Sequence, residues 1–143
     1  MKFECRNFGA PDLPRRGLTA SSAPLQILLV DIEADLVISD NGRIVWREEA
    51  FPVAELAYGL VRWLHLADHV RGDFTFDSSY DETGAVRIVA TDEGWRVGSA
   101  FAAGAQSSPV PWESLVPDLL VFIEDVRAGV GTLGVSPDFV PGF

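Results

Sequence analysis

The feature that most constrains the fold is a run of alternating side chains that ends in a turn signal. Apolar side chains occupy every second position from Ile32 to Ile38, and Asn41-Gly42 follows shortly after. A side-chain period of two is typical of a β-strand, and Asn-Gly is a frequent hairpin turn. We predict a strand that begins near Leu25 and pairs with the next segment in an antiparallel hairpin. One face is apolar and the other is largely acidic.

The length of the turn decides how the two strands pair. A two-residue turn would set Leu36 opposite Arg47 and mix the faces, whereas a three-residue loop with a left-handed Gly42 keeps the apolar face intact. We therefore predict the three-residue loop, with these opposed pairs: Ile38 and Ile44, Leu36 and Trp46, Asp35 and Arg47, Glu33 and Glu49.

Two stretches have the spacing of an amphipathic helix. Apolar residues recur at intervals of three and four over residues 52–69, with Pro52 suited to the first turn. A loop over 104–109 precedes a second helix over 112–127, with a kink or a fresh start at Pro117. Both helices have a polar side, so each is expected to cover a sheet.

Three shorter strands are predicted over residues 73–80, 85–91 and 95–101, with turn signals at 81–84 and 92–94. They should form an antiparallel meander. The predicted fold class is α+β, with one antiparallel sheet of about five strands and two helices on one of its faces. Residues 1–24 form an irregular lead with a possible edge strand, 25–128 form a single domain, and 129–143 form a Gly/Pro-rich tail.

The charge balance limits the classes of partner. The 143 residues include 21 acidic and 11 basic ones, giving a formal net charge of -10. This acidity argues against nucleic-acid binding, which needs basic surface, and favours a basic protein partner. The start lacks the apolar segment of a secretory signal, and no stretch approaches the roughly 20 apolar residues of a membrane span. Cys5 has no partner for an intramolecular disulfide, so we expect a cytoplasmic protein without a membrane segment.

The sequence Gly129-Val130-Gly131-Thr132-Leu133-Gly134 matches the dinucleotide fingerprint letter by letter. That fingerprint must follow a strand and open a helix, whereas here it follows a predicted helix and leads into prolines. We interpret it as a helix C-cap and expect no cofactor.

Two histidines offer a weaker hypothesis, a metal site. His65 and His69 lie four residues apart on the predicted first helix, a spacing at which two imidazoles can share a zinc ion. A further ligand would have to be a carboxylate. The alternative function is therefore a small-ligand or metal-binding protein with a pocket between sheet and helix, and the simpler interpretation is two solvent-facing histidines.

The acidic residues Asp31, Glu33 and Asp35 form a stripe on the polar face of the predicted hairpin. Asp77 and other carboxylates of the later strands and turns would extend this anionic surface. Such a patch can steer a basic partner, and it can equally serve solubility.

Four tryptophans are many for a chain of this length. Trp46 and Trp95 fall on inward positions of strands, whereas Trp63 borders the apolar stripe of the first helix and Trp112 opens the second. An exposed tryptophan beside acidic groups is typical of an interaction hot spot. Trp63 and Trp112 are therefore candidate partner contacts, and packing within the core is the alternative.

Catalysis has little support in the sequence. No G-x-S-x-G elbow is present, and Cys5 has no activating base nearby in the sequence. We expect a binding protein rather than an enzyme.

In size, acidity and order of hairpin, helix, meander and helix, residues 25–128 resemble the small cytoplasmic immunity proteins that accompany bacterial polymorphic toxins. The resemblance includes no specific motif. It implies a stoichiometric inhibitor that caps a basic toxin with acidic and aromatic residues. A structural subunit of a larger bacterial assembly is a further alternative.

Overall fold

Six strands and three α-helices make up the fold in a computed structural model that describes residues 1–78 and 83–142. The predicted α+β class is confirmed. The strands are β1 (Lys2–Gly9), β2 (Glu33–Asp40), β3 (Arg43–Phe51), β4 (Phe74–Thr75), β5 (Arg87–Thr91) and β6 (Gly94–Gly98). The α-helices are α1 (Leu25–Asp31), α2 (Val53–Leu64) and α3 (Trp112–Thr132), and short 3-10 helices cover Pro14–Arg16, Ala100–Ala105 and Pro137–Phe139.

The strands form two antiparallel sheets of three strands each, in the orders β1-β2-β3 and β4-β5-β6. The prediction of one sheet of about five strands is therefore wrong, although the meander of the second sheet is confirmed. The segment predicted as an irregular N-terminal lead contains β1, which is the third strand of the first sheet. β1 pairs with the edge of β2 that the hairpin leaves open, with Phe3 opposite Ile38 and Cys5 opposite Leu36.

The segment before β2 is a helix, where the sequence predicted a strand from Leu25 onward. Pro24 occupies the N-cap position with an extended backbone, and the helix runs from Leu25 to Asp31. Only residues 27–30 of this segment are continuously apolar, a pattern that fits a helix and a buried strand equally well. The alternation that marks β2 begins only at Ile32.

The β2–β3 hairpin has a two-residue turn, so the predicted three-residue loop is wrong. Asn41 and Gly42 both have positive φ, 49° and 81°, as in the turn that best suits a twisted hairpin. A bulge at Val45 then shifts the register by one residue and sets Trp46 opposite Ile38, whereas Ile44 is 48% exposed. The resulting opposed pairs are Ser39 and Ile44, Ile38 and Trp46, Val37 and Arg47, Leu36 and Glu48, Ala34 and Phe51. None of the four predicted pairs is formed.

Helix α2 is amphipathic as predicted but ends earlier. Eight of its residues are buried, and their side chains pack with those of β2 and α3. It ends at Leu64, whereas the spacing predicted helix to residue 69. Two C-terminal carbonyls of α2, those of Trp63 and Leu64, instead accept hydrogen bonds from the Arg71 side chain, so the chain turns back after the helix.

Helix α3 is continuous through Pro117 and extends five residues past its predicted end at residue 127. The first glycine of the fingerprint-like sequence, Gly129, is buried against the ring of Phe8, and any Cβ there would clash with that ring. Gly134 follows the helix with φ 79°, in the left-handed conformation common after a helix end. The predicted C-cap role therefore applies to Gly134 alone, whereas Gly129 lies inside the helix and serves packing, which the sequence did not predict.

The later strands are shorter than predicted, because β4 has two residues and β6 ends at Gly98. The turn predicted at 81–84 and the end of the strand predicted over 73–80 fall partly on residues 79–82, which lie outside the described part of the chain. Across residues 1–78 and 83–142, no helix combines the length and apolar character that a membrane span requires.

Candidate functional site

The predicted site residues fall into three places around helix α2. Glu33 lines a cavity at the N-terminal end of α2 together with Pro52, whereas Trp63 lies near the C-terminal end of the helix. These ends are about 15 Å apart along the helix axis, at 1.5 Å per residue. Asp77 lies beside the middle of the helix. The predicted residues therefore do not form one compact site.

The carboxylate of Asp31 forms a buried ion pair with another residue of the same chain. Its side chain is 1% exposed, and Arg16 donates two hydrogen bonds to it, from Nε at 2.7 Å and from Nη2 at 3.0 Å. The prediction that Asp31 lies on the solvent-facing side of a strand is wrong, because it is the last residue of α1. A buried, paired carboxylate offers no surface to a partner, and here it ties the N-terminal lead to α1.

The carboxylate of Asp35 accepts hydrogen bonds from two points where the strand register of the first sheet shifts. Its Oδ2 accepts a hydrogen bond from Asn7 Nδ2 at 2.7 Å, and its Oδ1 accepts one from the backbone N–H of Ala50 at 3.1 Å. Asn7 and Ala50 both have positive φ, 58° and 52°, at the register shifts of β1 and β3. These two hydrogen bonds lower the pKa of the Asp35 carboxyl. Asp35 is partly exposed, and its main observed role is structural.

Asp35 lines an open cavity of about 400 Å³ on the polar side of the β2–β3 hairpin, and Glu33 lines a different one. The Glu33 cavity, of about 290 Å³, is lined by Asp12, Arg16, Val30, Glu33, Glu48, Ala50 and Pro52. Burial raises the pKa of Glu33, and the nearby carboxylates of Asp12, Asp31 and Asp35 raise it further. The ionised carboxylate is therefore held at some electrostatic cost.

The polar face of the first sheet is mixed in charge rather than broadly acidic. Lys2 and Arg6 on β1 contact Glu4 at 2.9 and 3.4 Å, and the Lys2 contact is the largest cause that lowers the Glu4 pKa. Arg47 on β3 lies opposite Val37 of β2. Basic side chains from both outer strands thus surround the central carboxylates, which the sequence of β2 alone could not show.

Asp77 lies in a groove between α2 and the segment that includes β4. The groove has a volume of about 330 Å³ and is lined by Leu29, Glu55, Tyr58, Gly59, Arg62, Phe74, Thr75, Phe76 and Asp77. Asp77 accepts a hydrogen bond from Thr83 at 3.1 Å. This groove has the position that the small-ligand hypothesis assigned to a pocket, but neither histidine lines it.

The two histidines are not on one helix, so the spacing argument for a shared zinc ion is wrong. His65 is the C-cap of α2, and His69 lies in the following turn; both are exposed. Within the described residues, no group of three or more histidine, cysteine or carboxylate side chains is arranged to hold a metal ion.

Trp63 and Trp112 meet in one aromatic cluster with Trp95. The ring centroids of the three tryptophans are 5.2 to 5.6 Å apart, and Phe74 packs on Trp63 at 5.7 Å. Trp63 is buried, with 6% exposure, and its Nε1 donates a hydrogen bond to the Gly72 carbonyl at 2.9 Å. The prediction that Trp63 is an exposed contact is therefore wrong. Trp95 and Trp112 are partly exposed and form the outer part of the cluster.

Arg71 holds this cluster in place. Its side chain is only 9% exposed, and its guanidinium lies over the Trp112 ring, 4.4 Å from the centroid. It donates hydrogen bonds to the carbonyls of Trp63 and Leu64 and to that of the exposed Leu66. We define Trp63, Trp95, Trp112 and Arg71 as the tryptophan site.

The surface around the tryptophan site carries apolar side chains and charged side chains of both signs, including the exposed Arg62 next to Trp63. A cavity of about 220 Å³ is lined by Asp68, Arg71, Trp95 and Trp112. The Asp68 side chain is 94% exposed and contacts Arg71 at 2.7 Å. Exposed apolar and acidic side chains follow or precede the site residues in sequence: Leu66, Val70, Glu93 and Glu113.

Sequence reasoning missed Arg71, Asp68 and the exposure of Trp95. The alternating pattern placed Trp95 in the core, but it lies near the end of a short strand and pairs with Val110 in an isolated bridge. No local pattern links Arg71 to Trp112, 41 positions away in the sequence.

The one cysteine does not have the environment of a nucleophile. Cys5 lies on β1, and burial together with the charge of Asp125 raises its pKa to about 12. At neutral pH the side chain is the uncharged thiol, a poor nucleophile.

Comparison with known proteins places the chain in a family. It belongs to a family described as a domain of unknown function, DUF7878, whose model matches residues 14–130, from the first 3-10 helix to the last turns of α3. No curated protein matches the chain, and no solved structure matches it either.

Proposed function

We propose that this protein is a binding module that contacts a basic protein partner through the tryptophan site. The observation that supports this most is the pair of partly exposed indoles, Trp95 and Trp112, held rigidly at the surface beside exposed carboxylates. Tryptophan and arginine are enriched among the residues that dominate binding energy. Side chains that are already ordered lose little conformational entropy when a partner binds.

The charge of the chain favours a basic partner. A formal net charge of -10 attracts a positively charged protein over several ångströms and raises the association rate. Around the tryptophan site this charge is exposed, as for Asp68 and Glu113. Glu33, Asp35 and Asp77 would add to the field without forming the centre of the contact.

The resemblance to immunity proteins suggests a specific form of this proposal. In that form the protein is a stoichiometric cytoplasmic inhibitor that caps a basic toxin, with no catalytic step of its own. The aromatic surface would supply affinity, and the carboxylates would supply association rate and selectivity.

Affinity capture with matched tryptophan variants tests the proposal. Tagged wild-type protein, Trp112→Ala and Trp46→Ala would be used as bait in lysate of the source organism, first at low and then at moderate salt. Trp46 is the control because it is also partly exposed but packs on Phe101, outside the tryptophan site. Circular dichroism would establish that each variant is folded.

We expect the wild type and Trp46→Ala to retain one basic protein in a one-to-one amount, and Trp112→Ala to lose it. Equal retention by Trp112→Ala would overturn the proposal, as would a wild type that retains no basic protein from cells that express this chain.

A further inference from the structure

We infer that the cavity of the tryptophan site receives a lysine or arginine side chain of the partner. The inference rests on the proposed function and names the chemistry of its central contact. A cavity of about 220 Å³ has room for several water molecules, at about 30 Å³ each in the liquid, and so for the end of one long side chain.

Arg71 is not available as a receptor for an anion. Its Nε donates to the Trp63 carbonyl, Nη1 donates to Asp68, and Nη2 donates to the carbonyls of Leu64 and Leu66. These bonds use four of the five N–H groups of the guanidinium. One face of the guanidinium is also stacked on Trp112. Arg71 is thus committed to holding the cluster, and a carboxylate ligand would find little to bind there.

The other groups of the cavity attract a cation. The faces of Trp95 and Trp112 carry the negative part of the ring quadrupole, which is strongest for indole among the aromatic side chains. Arg71 already covers one face of Trp112, 4.4 Å from the ring centroid, so an incoming cation would contact Trp95 and the remaining surface of Trp112. The methylene groups of a lysine or arginine can contact the rings while the charged end reaches Asp68.

The carboxylate of Asp68 is what allows the cavity to hold a second cation beside Arg71. A second cation next to Arg71 would be repelled if no negative charge lay between them, since like charges at short range destabilise each other. Asp68 contacts Arg71 with one oxygen, Oδ1, and its side chain is 94% exposed. The carboxylate is therefore placed to accept hydrogen bonds from an incoming ammonium or guanidinium as well.

Short peptides test the inference directly. The probes are four blocked pentapeptides with two glycines on each side of a central lysine, arginine, glutamine or glutamate. The protein carries Trp46→Phe, so that its fluorescence and its indole N–H signals in NMR spectra come from the three tryptophans of the site. Binding is measured by titration at low salt.

We expect saturable binding of the lysine and arginine peptides, with no saturation for the glutamine and glutamate peptides. Asp68→Asn keeps an oxygen acceptor for Arg71 but removes the charge, and we expect it to weaken binding by about fivefold. Asp125→Asn is the matched control, because it removes one exposed charge from α3 about 20 Å along the helix from Trp112. We expect it to leave the affinity within about twofold.

Three results would overturn the inference: no saturable binding of either basic peptide, equal binding of the glutamine peptide, or stronger binding of the glutamate peptide. Equal weakening by Asp68→Asn and Asp125→Asn would also overturn it, by assigning the effect to net charge alone. These failures are distinct from failure of the proposed function, which is decided by whether capture of the partner protein depends on Trp112.

Discussion

The charged groups near the two ends of helix α2 differ in which member of the ion pair is buried, the carboxylate or the arginine. Near its N-terminal end, Asp31 and Asp35 are bonded to groups of this same chain, namely Arg16, Asn7 and Ala50. Those bonds join the N-terminal lead to α1 and hold two irregular points of the first sheet. Most of the acidic segment is therefore part of the fold.

At the C-terminal end of α2 the arrangement is reversed. A buried arginine, Arg71, orders the tryptophans from within, and the carboxylate of Asp68 remains 94% exposed beside it. Both regions are rich in acidic residues in the sequence. The difference teaches that a carboxylate is accessible to a partner where the fold leaves it exposed, as at Asp68, even when one internal donor already bonds to it.

The largest expected effect on the free energy of unfolding distinguishes the buried part of the tryptophan site from its exposed part. Trp63→Ala removes a buried ring and its hydrogen bond to Gly72, and we expect it to lower the free energy of unfolding by about 3 to 5 kcal/mol. Trp112→Ala should cost less than half as much, because that ring is partly exposed. Urea denaturation of both variants measures the difference. Equal losses would mean that Trp112 is as structural as Trp63.

The next effect tests whether Asp31 belongs to the fold. Asp31→Ala leaves the Arg16 guanidinium without its buried partner, and we expect a loss of about 2 to 3 kcal/mol. This value is reduced from that of a fully buried pair because the Arg16 side chain is 35% exposed. The control is Asp138→Ala, which removes an 88% exposed partner of Arg127 and should change stability by less than about 0.5 kcal/mol. Similar losses in both variants would contradict the account.

A smaller effect concerns the pH dependence that Asp35 supplies. Its pKa in the folded state is below the ordinary value of 3.8, so its contribution to stability is present above that value and is lost as the pH falls through the folded pKa. We expect the stability difference between wild type and Asp35→Ala to be constant near neutral pH and to shrink below pH 4. Urea denaturation at a series of pH values measures it. A difference that grows under acidic conditions would show that Asp35 does not act as an ionised acceptor.

The smallest expected effect is an increase in the free energy of unfolding, whereas the substitutions above lower it. The pKa of Glu33 is raised above its ordinary value of 4.5, so ionisation destabilises the folded state, and this cost appears as the pH rises through the folded pKa. We expect Glu33→Gln to stabilise the protein at pH 7 by about 0.3 kcal/mol, a modest amount because solvent screens the site. The gain should disappear below pH 4. Destabilisation at neutral pH would mean that Glu33 has a favourable partner.

Helix α2 and the meander could be predicted from sequence because their signals are local. The spacing of three and four that begins after Pro52 and the turn residues between the later strands require no knowledge of distant contacts. The sequence predicted a possible edge strand in the N-terminal lead but not its position as the third strand of the first sheet. That position depends on which free edge the N-terminal lead reaches.

Other features depend on tertiary contacts and had no local signal. The segment Leu25–Asp31, continuously apolar over residues 27–30, fits a helix or a buried strand, and packing of its residues decides between them. Nothing at Ala50 indicates a positive φ, which the bond to Asp35 stabilises. The pairing of Arg16 with Asp31 and the stacking of Arg71 on Trp112 likewise join residues far apart in sequence.

The most direct test of the central claim is calorimetric titration of the basic protein that the wild type retains. The account predicts that Trp112→Ala weakens binding by about 30-fold or more, as expected for a hot-spot tryptophan, and that Glu33→Gln changes it by less than about twofold. The reverse result, with full affinity in Trp112→Ala and a large loss in Glu33→Gln, would contradict it and move the contact to the acidic segment.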